Sequence, residues 1–244
     1  MRGWGRTPGI VSFGILLAAL AAIQVPAADT NPAAAADRVG VVAALSASPD
    51  GSFQEETGNC VLWTVGNVTY TIADLHTVMA GDEGASDRVA DQIKVQVGKR
   101  SSRARLVWPP QGRRDVLELD IAILELEERA LGQPFGPEAF QGRDDGLPKD
   151  LYLAAPAHRS RMLPIHAPAV ARGSQWFIYR ELSHGDSGGM VFTLEGDEIV
   201  PYGFVSSIGS LPGESNRGTA VYGRHAMGVF IKQFLDARRR VAGR

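Results

Sequence analysis

The chain of 244 residues contains one cysteine, Cys60, so no intramolecular disulfide can form and packing alone must hold the fold. With that single cysteine and five dispersed histidines, no zinc-site spacing exists, and no metal or cofactor is expected. Charge of one sign is also missing. The formal net charge is −2, and nothing in its distribution suggests nucleic acid. Basic residues gather at Arg238-Arg239-Arg240 and Arg244, at the end of an expected helix, where cations complement the helix dipole in a solvated tail. No internal repeat is readable, and the length suits one sizeable core rather than two independent domains.

Long apolar runs are scarce too. The one at Ile10 to Ile23 is too short for a comfortable membrane span, and it lies between Arg2 and Arg6 on one side and Val25-Pro26-Ala27 on the other. That layout predicts a secretory signal peptide over residues 1–27, hence a secreted or periplasmic protein without stable membrane insertion; an uncleaved anchor is the alternative. Residues 28–38, rich in alanine, read as a flexible leader, and 39–244 as the folded domain. Cys60, in the strand-like run Asn59-Cys60-Val61-Leu62-Trp63, reads as a small buried hydrophobe.

What is present is concentrated in Gly185-Asp186-Ser187-Gly188-Gly189. A seryl oxygen becomes a useful nucleophile when a base takes its proton and N–H donors receive the oxyanion it creates. Flanking glycines let the backbone turn those donors toward a substrate carbonyl. Upstream, the β-rich run from Tyr70 to Val78 delivers His76, and the apolar run from Val116 to Leu124 carries one central carboxylate, Asp120. A carboxylate in such a run needs a partner, and His76 supplies a donor. The pentapeptide also satisfies the Gly-x-Ser-x-Gly elbow of α/β-hydrolases, but that elbow leads into a helix, and its acid and histidine follow the serine. Here Met190-Val191-Phe192-Thr193-Leu194 reads as a strand.

The order His76, Asp120, Ser187 and the segments Ala73-Asp74-Leu75-His76, Asp120-Ile121-Ala122-Ile123-Leu124 and Gly185 to Gly189 resemble the signature blocks of the trypsin/chymotrypsin-like serine proteases. The lack of disulfides is similar to the simpler bacterial members. The resemblance implies an all-β fold of two packed six-stranded antiparallel β-barrels, with the site between them and a C-terminal α-helix. It implies a serine endopeptidase acting on protein or peptide substrates through His76, Asp120 and Ser187, with the Gly185 and Ser187 N–H groups as oxyanion hole. A catalytically inert binding scaffold and an esterase are the competing readings.

The chain is expected to run as strands at Val39 to Leu45, Cys60 to Val65, Val68 to Ile72, Ile93 to Val97 and Ala104 to Trp108, with a hairpin turn at Gly66-Asn67, a polar loop from Ser46 to Gly58, and Asp120 on the next strand. Arg129 to Lys149 reads as the crossing between barrels. Strands follow at Leu151 to Ala155, Met162 to Ile165, Trp176 to Tyr179, Met190 to Leu194, Val200 to Ser206 and Ala220 to Tyr222. Met227, Phe230, Ile231, Phe234 and Leu235 then form the apolar stripe of one helix.

By the resemblance, Glu181 sits at the base of the primary specificity pocket and Ser206, Ser207 and Ile208 line its wall. Glu181 would favour a basic side chain, Ile208 would narrow the entrance, and a Glu181 paired with Arg180 or facing solvent would do neither. Asp186 is expected to pair with an internal basic residue. The alternative, a new amine terminus at Val39 after cleavage at Arg38, conflicts with a strand beginning there.

Overall fold

A computed structural model of the protein describes residues 32–242 except 49, 81–87, 111–119, 130, 143–149, 159–162, 166–168, 173–174, 181 and 211–216. The expected signal peptide and Arg244 lie outside the described residues, as does Glu181.

Six antiparallel strands, β1 (Val39–Ala47), β2 (Phe53–Val65), β3 (Val68–Ala73), β4 (Gln92–Val97), β5 (Arg100–Trp108) and β6 (Ala122–Leu126), close into a barrel in the order β1-β2-β3-β6-β5-β4. The period-2 pattern explains this. In Gln-Ile-Lys-Val-Gln-Val of β4, exposed and buried residues alternate strictly, so one face fills the barrel and the other meets water. Val42, Ala44, Cys60, Leu62, Ile93, Val95 and Leu124 fill the interior. Burial pushes the Cys60 thiol up to about 12, which keeps it protonated and unreactive.

The second unit contains β7 (Leu151–Ala154), β8 (Leu163–Ile165), β9 (Ala169–Arg172), β10 (Gln175–Ile178), β11 (Met190–Glu195), β12 (Glu198–Ser210) and β13 (Arg217–Gly223). They form a seven-stranded sheet in the order β8-β7-β11-β12-β13-β10-β9. The expected six strands are thus seven, arranged as a half-barrel. The addition is β9, whose short Ala-Val-Ala-Arg segment carries too little pattern to be read from sequence.

Other boundaries move for similar reasons. Phe53 to Gly58, expected within a loop, are the first part of β2, paired with β1 from Ala47 back to Val42. Their side chains from Phe53 to Thr57 are exposed, so backbone pairing forms this arm without an apolar face to announce it. Asp120 stands two residues before β6 rather than on a strand. Within the expected leader, Pro32–Asp37 form a 3-10 helix in which Ala35 is fully buried, and the Arg38 guanidinium lies 4.5 Å from the centre of the Phe135 ring.

The largest apolar cluster lies between the two units and beneath α1 (Arg224–Ala242). Trp63 and Tyr70 of the barrel stack at 4.8 Å, and Phe234 of the helix meets Tyr70 edge-on at 5.2 Å. Met227, Phe230, Ile231 and Phe234 are buried as their spacing predicts. Arg238 is less of a solvated tail than its position suggested. It donates to the Tyr70 hydroxyl and to Glu125 Oε2, tying the helix end to the barrel. Phe234→Ala therefore removes a ring that joins helix to barrel and is expected to lower stability by about 3–5 kcal/mol in urea unfolding. Arg239→Ala, on the exposed face, is expected to change it by no more than about 0.5 kcal/mol.

Candidate active site

His76 opens a short 3-10 turn directly after β3, and Asp120 precedes the strand that pairs with β3. The adjacency of β3 and β6 brings the two residues together across 44 positions of sequence. Asp120 Oδ2 lies 2.6 Å from His76 Nδ1, and Oδ1 accepts the His76 backbone N–H at 2.8 Å. An ionised carboxylate only accepts hydrogen bonds, so Nδ1 is the donor in this pair. The grip is two-pointed, which fixes both tautomer and ring direction. The side chains of His76 and Asp120 remain 45% and 33% exposed, so solvent and ligands reach them.

Behind the pair stands Tyr222 of β13. Its hydroxyl accepts the Asp120 N–H at 3.2 Å, while burial raises the phenol above its ordinary range. Ser206, expected on a pocket wall, is buried and faces this phenol. Ser207 is exposed at an irregularity of the β12–β13 pairing, and the Ile208 backbone pairs with Thr219.

Ser187 lies in the turn before β11, pressed against the first barrel by Asn59. The Asn59 backbone N–H donates to the Ser187 carbonyl at 2.9 Å, and its amide nitrogen donates to the carbonyls of Gly185 and Ser187, both at 2.9 Å. Its amide oxygen accepts the Ala157 N–H at 2.7 Å. Asn59 is wholly buried. Gly188 is required here: its φ is +74°, and a Cβ would fall 2.0 Å from the Asn59 carbonyl oxygen. On the other side of the same strand segment, Gly58 abuts Thr77, next to His76. The serine turn and the histidine turn thus pack against one dipeptide, Gly58-Asn59.

The N–H groups of Asp186, Gly188 and Gly189 are donated to Ser183, Val205 and Asp186. Those of Gly185 and Ser187 meet no acceptor among the described residues. Asp186 itself is buried, accepts the Ser183 N–H at 2.9 Å, and faces His158 Nδ1 at 3.1 Å. The internal basic partner expected for Asp186 is therefore His158. Val39 pairs with Val61 inside the barrel.

Sequence reading missed Asn59, Tyr222, His158 and Asp74. Only Asp74 carried a signal, a charge in the otherwise apolar approach to His76. It is fully buried, and neither carboxylate oxygen has a hydrogen-bond partner among the described residues. Burial above all, and then the charge of Asp120, push its carboxyl well above the usual range. The Gly188 N–H lies near enough to oppose this slightly, but that N–H is donated to the Val205 carbonyl at 2.8 Å.

No family model matches the chain, and no curated protein matches it. Among solved structures it is similar to the HtrA-type protease AlgW with decapeptide, at 18% identity and a TM-score of 0.56, covering 83% of this chain and 66% of AlgW. It is also similar to the thermostable serine protease AL20 from an extremophilic microorganism, at 16% identity and a TM-score of 0.53, covering 79% of this chain and 94% of that one. The chain thus spans just under two thirds of AlgW. The fold is that of the trypsin-like serine proteases.

The state of Asp74 has a measurable consequence. Its folded-state pKa is raised, so the folded protein holds a proton that the unfolded chain releases above about pH 4. Stability is lost as pH climbs from there toward the folded pKa. Asp74→Asn, which cannot ionise, is expected to be more stable than the parent at pH 7, by a margin smaller at pH 4.5, in urea unfolding at both pH values.

Proposed function

We propose that the protein is a serine endopeptidase in which Ser187 is the nucleophile, His76 the general base and Asp120 the residue that orients and balances the imidazole. The observation that carries this reading is the two-point grip of Asp120 on His76, together with the packing of the histidine turn and the serine turn against the same Gly58-Asn59 dipeptide. Ser187 Oγ attacks the scissile carbonyl while its proton passes to His76 Nε2. The Gly185 and Ser187 N–H groups receive the oxyanion, each worth roughly 3 kcal/mol in the transition state. His76 then protonates the leaving amine, and a water molecule, activated by the same imidazole, hydrolyses the acyl-enzyme.

Two further features support the assignment. His158 opposite Asp186 supplies an internal partner for the carboxylate that underlies the turn, so no new amine terminus is needed to shape it. The decapeptide named with AlgW fits peptide substrates, and a secreted or periplasmic location is proposed from the expected export signal over residues 1–27. Ser207 and Ile208 remain the proposed pocket wall, with Glu181 proposed at its base.

A fluorophosphonate probe is expected to label the protein at Ser187 and to leave Ser187→Ala unlabelled; labelling absent from the parent or persisting in the variant removes the assignment and favours an inert scaffold. Hydrolysis of short acyl esters without any cleavage of denatured protein would instead mark an esterase. His76→Ala is expected to lower kcat by about 10⁶-fold with KM little changed. Asn59→Ala, which frees the serine turn without touching substrate, is expected to lower kcat by about 10²-fold.

A further inference from the structure

Asp74 is a carboxylate at this site that the proposed reaction does not use. It is 0% exposed, both of its oxygens lack a hydrogen-bond partner among the described residues, and it stands on the inner side of the His76–Asp120 pair. One donor atom each from Asp74, His76 and Asp120 lies within 4.8 Å of the others. A buried carboxylate without a donor is unfavourable, and a second carboxylate facing it makes it more so. Two carboxylates and an imidazole converging in this way lack one thing, a positive centre between them.

From this convergence we propose that Asp74, His76 and Asp120 form an inhibitory site for a divalent transition-metal ion of the zinc type. Imidazole nitrogen and carboxylate oxygens bind zinc at about 2.0–2.2 Å in a tetrahedron, which sets the donors roughly 3.3–3.5 Å apart. The three donor atoms already lie within 4.8 Å of one another, little more than 1 Å from that spacing. The donor set also discriminates among metals. Calcium takes six to eight oxygens and magnesium keeps an octahedral shell of oxygens and waters, whereas one nitrogen, two oxygens and a water suit zinc. Access is one-sided: the partly exposed His76 and Asp120 admit the ion from solvent, and Asp74 holds it from within.

The ion ends the role of His76 as a base by either route. Coordination through Nε2 occupies the lone pair that would take the serine proton. Coordination through Nδ1 displaces the hydrogen bond to Asp120 and forces the ring proton onto Nε2. Inhibition therefore rests on the proposed catalytic function, while the metal site rests on the three side chains alone.

Zinc chloride titrated into the full chain against a chromophoric chelator is expected to show one site, weakened at least tenfold in Asp74→Asn and in Asp120→Asn. Zinc is expected to suppress fluorophosphonate labelling of the parent, and EDTA to restore it. Equal affinity for zinc in the parent and in Asp74→Asn overturns the site, as does the absence of any site beyond weak background binding. Cobalt(II) provides a measurement on the parent alone: the intense visible bands of a four- or five-coordinate ion are expected, and the weak spectrum of a six-coordinate ion overturns the assignment. Zinc binding that depends on Asp74 in a protein that never labels at Ser187 would refute the proposed protease and leave the metal site standing.

Discussion

The carboxamide of Asn59 is the contact on which the geometry of this molecule depends. It belongs to the first barrel, yet its hydrogen bonds go to Gly185, Ser187 and Ala157 of the second unit. An amide buried between two sheets must find partners for its donors and its acceptor, and here the partners are backbone groups with little freedom of their own. The serine turn consequently has one position relative to the barrel. The same strand segment, at Gly58, abuts Thr77 of the histidine turn. A displacement of β2 would therefore shift both turns together, which preserves their relative placement better than separate supports would.

Electrostatics divides three nearby acids by how well each is served. Asp120 accepts two hydrogen bonds from His76 and keeps contact with solvent. Asp186 is buried but has the Ser183 N–H and His158 against it. Asp74 has burial and a neighbouring carboxylate, with no donor committed to it among the described residues, and so favours its neutral form. Helix α1 contributes nothing chemical to the site, but its buried stripe and the Arg238 contacts lock the outer face of the same cluster that contains Trp63, Phe204 and Tyr222. Tyr222 thereby links core packing to the Asp120 backbone.

Much of the fold was legible because period-2 alternation records a half-buried strand, and β1, β3, β4, β5 and β11 have it or a continuous apolar run bounded by turns. The failures are instructive. The exposed arm of β2 and the short β9 are strands by backbone pairing alone, and neither polar side chains nor four residues leave a readable period. At the site, His76, Asp120 and Ser187 stood out as chemical types in a suggestive order, and His76 and Asp120 do meet. Asn59, Tyr222 and His158 did not stand out, because an asparagine, a tyrosine and a histidine acquire meaning only from what they face.

The sequence by itself determined an all-β chain with one closing helix, a packing-stabilised core without disulfides, and three short segments carrying a histidine, a carboxylate and a glycine-flanked serine. These depend on local composition and periodicity, which act over a few residues. Only the tertiary structure decided that Asp120 would grip His76 at two points, that Asn59 would seat the serine turn, that His158 would face Asp186, and that Asp74 would be sealed beside a second acid. Those outcomes depend on which strands become neighbours in a closed barrel and on where water is excluded. Both are consequences of long-range packing that no local stretch of sequence encodes.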